Sequence, residues 1–189
     1  NVLIHERFDE NQIRMRNDKI EYRELTANRL IFCTGLGAAT SRYFSWLPFK
    51  AVKGDLLTVD LGITMDFILS KGVFLLSETG TLYKAGSTYD RDNPYSGISS
   101  QSKDFLINKI KQLLNVEIKI LDHVSGIRPA TNDRRPFIGT HPEFKMIGIF
   151  NGFGSKGVSL VPYFSEKYIE HIETGMPIDN EADIIRYFN

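Results

Sequence analysis

Met146-Ile147-Gly148-Ile149-Phe150-Asn151-Gly152-Phe153-Gly154-Ser155-Lys156-Gly157-Val158-Ser159-Leu160 is the stretch from which the fold is read. Met146 to Phe150 has the composition of a buried strand, and Gly152 to Gly157 matches G-x-G-x-x-G. A helical pattern follows from about Val158 to Ile172 and ends at Gly175 and Pro177. Glycines let backbone pass close to a ligand, and the N–H groups and dipole of a helix start favour negative charge. The same glycines would also serve a turn used only for tight strand–helix packing. A complete dinucleotide fingerprint needs a second strand ending in a ribose-binding acid about 20 residues on. Here the helix carries Glu166, Glu170 and Glu173 and the sequence runs out at Asn189. The loop is therefore expected to meet an electron-rich ligand, not the diphosphate of a complete local dinucleotide fold.

A second partial match, Gly35-Leu36-Gly37-Ala38-Ala39-Thr40, follows the apolar run Leu30-Ile31-Phe32-Cys33. That run reads as a central strand covered on both faces, with Cys33 a buried structural thiol. By itself the Gly35 segment reads as a structural turn, since Pro48 ends any helix soon after. Upstream, Gln12–Arg16 and Lys19–Arg23 alternate around Asn17-Asp18 as a hairpin. Further strands are expected at 55–60, 67–69, 73–76 and 81–85, with Glu78-Thr79-Gly80 as a turn and 87–99 as a polar loop. One amphipathic helix starts in Ser99–Ser102 and places Phe105, Leu106, Ile110, Leu113 and Leu114 on one stripe. Strands 117–121 and 146–150 bracket an expected loop, 126–142. Strands predominate, so the class is α+β.

Arg128 sits in that loop between Ile127 and Pro129, a setting that fixes its guanidinium for bidentate binding of a carboxylate. The competing partner is Asp133. The 23 basic and 23 acidic residues cancel, so no global field recruits nucleic acid or an anionic membrane, and a charged ligand must meet a local site. No apolar run reaches the length of a membrane span. A single cysteine excludes an internal disulfide and points to a reducing, cytoplasmic setting. His5, His123, His141 and His171 lack ligand spacing, read as surface or loop residues, and give no metal site.

Four segments, in this order, resemble the D-amino-acid oxidase and glycine oxidase family of FAD-dependent oxidoreductases: Leu30 to Gly37, the pair Val73–Leu76 and Leu82–Thr88, the G-x-R-P-x-T-x-D-x-x-P-x-I-G match from Gly126 to Gly139, and the glycine loop with its helix, Gly152 to Pro162. The resemblance implies the C-terminal portion of such an enzyme. The family's first strand, principal glycine motif and ribose-binding acid have no counterpart here. It implies a mixed or antiparallel substrate-domain sheet with helices, plus the C-terminal parts of a Rossmann-like FAD-binding domain. The implied division is 1–45 and 126–175 for the FAD domain, 46–125 for the substrate domain, and 176–189 as a tail.

By position, the resemblance places Gly152, Gly154, Ser155, Lys156, Gly157 and Val158 at the pyrimidine end of the flavin, with Gly35, Gly37 and Gly126 as further cofactor contacts. It makes Arg128 the anchor of a substrate carboxylate, with Phe74 and Tyr83 beside it. Family members often have Tyr where Phe74 stands and His where Phe153 stands, so this pocket is expected to be less polar; Tyr83 or Tyr89 could compensate. The implied function is oxidation of a small carboxylate-bearing amine by hydride transfer to FAD. FAD binding by the 189 residues alone is expected to be weak or absent without an N-terminal half. Apolar surface around Leu3, Ile4 and Phe32 is expected to favour self-association. The alternative is a non-catalytic α+β module that binds a ligand or partner through residues 152–157.

Overall fold

The computed structural model describes residues 2–188. Its contacts divide the chain into two compact units, residues 1–49 with 129–189, and residues 50–128. The class is α+β.

The first unit opens with strands β1 (Ile13–Arg16), β2 (Lys19–Tyr22) and β3 (Leu25–Ala27), an antiparallel sheet in the order β1-β2-β3. Asn17 and Asp18 carry φ of 47° and 56°, the left-handed pair that joins two strands with matching twist. β4 (Leu30–Phe32) leads into a short 3-10 helix, Gly35–Thr40.

The second unit is built on β5 (Phe49–Asp60), β6 (Leu69–Ser70), β7 (Phe74–Thr79), β8 (Leu82–Gly86), helix α1 (Ser100–Leu113) and β9 (Lys119–Thr131). Its sheet runs β6-β7-β8-β5-β9. Leu57, Val59, Leu75, Tyr83 and Ala85 form one face and bury Leu106 and Ile110 of α1. Ser99 caps α1, its hydroxyl accepting from Ser102 N. Phe105 falls off the buried stripe and is 44% exposed, and Phe67 and Ile68 precede β6 as exposed residues.

The chain then returns to the first unit through β10 (Phe137–Thr140), β11 (Ile147–Asn151) and helix α2 (Gly157–Thr174). β10 and β11 pair antiparallel, and β11 pairs with β4 in parallel, giving the order β10-β11-β4. Alternation splits this sheet: Phe137, Ile147 and Ile149 face a cluster with Phe32, Tyr43 and Phe44, while Ile138 faces α2 through Phe164 and Tyr168. α2 ends at Gly175 with φ 77°, a left-handed helix stop.

Several expectations are corrected. Among the described residues β4 pairs on one side only, with β11, and Ile31 is 39% exposed, so there it is not covered on both faces, and Cys33 is exposed rather than buried. The expected loop from 126 is strand as far as Thr131; β9 lies at the sheet edge, where Pro129 removes no essential ladder donor. The expected tail is core: Ile178, Ala182 and Ile184 are buried, and Asp183 bridges to Ile138. His141 lies in a loop, as expected, but is buried there among Tyr43, Phe44, Trp46 and Phe144. Among the described residues, no helix is long and apolar enough to cross a membrane.

Candidate functional site

In the first unit, the three glycine- or proline-bearing segments meet at Pro129. Gly154 N donates to the Pro129 carbonyl at 3.0 Å. Asn151 Nδ2 donates to Gly35 O at 2.8 Å, and a Cβ on Gly35 would stand 3.9 Å from Pro129 Cγ. Gly35, Gly152 and Gly154 have φ of 58°, 77° and 56°, which side chains rarely tolerate. At Gly152 space is also lacking, because a Cβ would lie 2.9 Å from Thr131 Cγ2 and 3.2 Å from Phe137 N.

Not every loop N–H faces outward. Gly152 N donates to Asn151 Oδ1 at 2.8 Å, and Gly154 N is spent on Pro129. The open donors lie at the start of α2, at Gly157 and Val158, where the N-cap Lys156 makes no side-chain hydrogen bond. Ser155 and Lys156 are exposed, and Val158 is 97% exposed. Phe153 points inward against Phe150 and Phe164. Gly37 lies on the short 3-10 helix and lines a cleft of about 830 Å³ with Phe32, Thr34, Thr40 and Ser41.

In the second unit, Arg128 projects from β9 on the sheet face opposite α1. Its Nη2 donates to Ser87 Oγ at 2.7 Å and its Nη1 reaches Thr88 O at 3.5 Å. The guanidinium carbon lies 5.9 Å from the centre of the Tyr89 ring. It forms no ion pair with a carboxylate among the described residues. Asp133, the competing partner, is held by Arg186 Nη2 at 3.3 Å, Tyr187 OH at 2.9 Å and Arg135 N at 2.9 Å. A guanidinium has five donors, so Arg128 keeps unused ones for a ligand.

Residues that the sequence reading passed over hold Arg128. Gly54 lies under its fork: a Cβ there would overlap Nη1, Nη2 and Cζ. Thr88 is fixed from β5, with Asp55 N donating to Thr88 Oγ1 at 2.8 Å and Thr88 N donating to Asp55 O at 3.3 Å. The buried Lys53 ties down the following loop, its Nζ donating to Ser96 Oγ at 2.8 Å and Gly97 O at 2.9 Å. The signal was present as Lys53-Gly54-Asp55, two charges astride a glycine inside an apolar strand.

Phe74 shares a cross-strand row with Gly86 and Leu56, on the same face as Gly54. A Cβ on Gly86 would lie 3.4 Å from Phe74 Cζ, so the row is closely packed and apolar. Tyr83 is a correction. Its side chain lies on the α1 face, fully buried, with its hydroxyl accepting from Met65 N at 2.7 Å and donating to Ile63 O at 3.3 Å. It is a core residue whose hydrogen bonds are met internally. Gly126 stands on β9 with nothing within 4 Å of its Cβ position, in the second unit rather than with the other glycines.

The profile of a family described as FAD dependent oxidoreductase matches residues 2–170. Among solved structures, glycine oxidase from Geobacillus kaustophilus is 20% identical with a TM-score of 0.68, over 90% of this chain and 50% of that one. Iminodiacetate oxidase from Chelativorans sp. BNC1 is 17% identical with a TM-score of 0.72, over 90% and 51%. L-Amino acid deaminase from Proteus myxofaciens, in complex with anthranilate, is 12% identical with a TM-score of 0.71, over 94% and 55%. The chain spans about half the length of these structures.

Proposed function

Because the chain belongs to the family of FAD dependent oxidoreductases, we propose that it forms part of an enzyme that oxidises a small carboxylate-bearing amine. The observation that carries this reading is a half-buried guanidinium with no carboxylate partner among the described residues. Within the first unit, Ala130 Cβ lies 3.5 Å from the Cβ position of Gly154, and Thr131 abuts Gly152.

The residues of the first unit fit a flavin. An uncapped helix start offers N–H donors to electron-rich ring atoms, and left-handed glycines keep side chains out of the approach. On this reading Gly157 and Val158 N–H groups, with Ser155 and Lys156 beside them, would hold the pyrimidine edge of the flavin, and Gly35 and Gly37 would be further cofactor contacts. FAD, when bound, supplies the acceptor for a hydride leaving the carbon next to the substrate carboxylate. The donors at the helix start would lower the energy of negative charge on a group held there.

Arg128 orients the substrate by its carboxylate, and Ser87 and Thr88 keep the fork from swinging. Leu56 and Phe74 add apolar surface two residues further along the sheet. Phe74 offers no hydroxyl to the carboxylate, so Arg128 bears more of the binding. The relatives named glycine oxidase, iminodiacetate oxidase and L-amino acid deaminase support a substrate that joins nitrogen and carboxylate.

The test is Arg128→Ala in the flavin-loaded full-length protein. Loss of a charge-assisted fork is expected to raise KM for the amine carboxylate about 10–100-fold. Unchanged kinetics would remove Arg128 from the site, and flavin binding without turnover on any amine carboxylate would favour a ligand-binding module instead.

A further inference from the structure

We infer that Gly54 is a positioning and specificity-determining residue, whose missing side chain sets where the Arg128 guanidinium lies and hence where a carboxylate is held. The inference rests on the reading of Arg128 as the carboxylate anchor. A Cβ on Gly54 would overlap all three terminal guanidinium atoms, so the fork lies flat against the β5 backbone. Gly54 has no left-handed φ, so the backbone accepts alanine and the glycine answers to space rather than to a turn. Gly86, two strand positions further along the same face, is likewise closed to a side chain by Leu56 and Phe74.

The two neighbours of Gly54 build the rest of the seat. Lys53 and Asp90 exchange both backbone hydrogen bonds at 2.9 Å, and the Lys53 ammonium holds the next turn of the loop. Asp55 and Thr88 exchange the bonds that place the Thr88 carbonyl near Nη1. Three consecutive residues of β5 thus define one arginine: Lys53 and Asp55 fix the loop carrying Ser87 and Thr88, and Gly54 leaves room between strand and loop. A methyl at position 54 drives the fork off the strand and away from Ser87 Oγ. Arginine is sensitive to this because its recognition depends on the plane of the fork, not on charge alone.

The experiment uses propionate as probe and the full-length protein, following the Arg128 side-chain N–H signal by NMR; Arg128→Ala identifies that signal by removing it. Gly54→Ala is expected to move the signal in the unliganded protein and weaken propionate about 10–100-fold, the cost of displacing a binding group by about 1 Å. In an Arg128→Ala background, Gly54→Ala should add less than about 2-fold, since the group it displaces is gone. Arg128→Lys supplies a narrower cation, so Gly54→Ala should cost less there than in wild type, which keeps the test open if the single variant folds poorly. Unchanged propionate affinity in Gly54→Ala, or an equal loss in all three backgrounds, overturns the inference. If Arg128→Ala loses propionate and Gly54→Ala does not, only the role of Gly54 falls. If Arg128→Ala keeps full affinity, the reading of Arg128 falls, and this inference with it.

Discussion

His141 shows how a single residue misreads in sequence and becomes legible in structure. Flanked by Thr140 and Pro142, it lies in the loop its neighbours suggest, yet it is 3% exposed and its Nδ1 accepts from the N–H groups of Glu143 at 3.1 Å and Phe144 at 3.2 Å. Burial holds its pKa below the ordinary 6.5, and the nearby Lys145 adds to this; a hydrogen bond to Tyr43 and the charge of Glu143 oppose it. Since the folded-state value is lowered, the unfolded chain takes up the proton first. The stabilising contribution is full above 6.5 and is lost as pH falls below it. The melting midpoint is expected to drop between about pH 7 and about pH 5, and His141→Asn, which keeps an acceptor for both N–H groups, should flatten that drop. An unaltered pH profile in the variant would contradict this. Ile-Arg-Pro marks Arg128 as a restricted side chain but leaves its partner open between a ligand and Asp133; its seat is not visible in the sequence, because Gly54 and Arg128 are 74 positions apart and only the sheet brings them together.

Among elements, α2 and the β10–β11 hairpin carry the glycine loop, and their contact is close. Tyr168 OH donates to Gly139 O at 3.0 Å, and a Cβ on Gly148 would overlap the Tyr168 hydroxyl. Gly148→Ala is therefore expected to overpack this junction and lower stability by about 1–3 kcal/mol, read as a shift in the urea midpoint. A midpoint equal to wild type would show that α2 yields without cost. Within the loop, Gly152→Ala meets both a left-handed φ and the Thr131 side chain, so it should disturb the loop more than Gly157→Ala, whose Cβ would stand 3.9 Å from Phe153. The helices, the Asn17-Asp18 hairpin and the strand before the glycine loop follow from local pattern. β9 does not, because Gly126 and Pro129 signal a loop to any local reading; pairing along β5 at the sheet edge overrides that signal.

At the scale of the whole molecule, two units share one chain, and the first is assembled from both ends of it. The family profile runs across both. The chain spans about half of its structural relatives, and the proposal assigns it the ring end of the flavin and the carboxylate anchor. The 189 residues alone are accordingly expected to bind FAD weakly, and tight stoichiometric binding in a fluorescence titration would contradict that expectation. The most direct test of the central claim is anaerobic flavin reduction in the full-length protein, followed by loss of the oxidised flavin's visible absorbance. An amine carboxylate should bleach the wild-type flavin, its carboxamide counterpart should not, and Arg128→Ala should need about 10–100-fold more of the carboxylate for the same bleaching. Equal bleaching of wild type and Arg128→Ala, or equal response to carboxylate and carboxamide, would contradict the account.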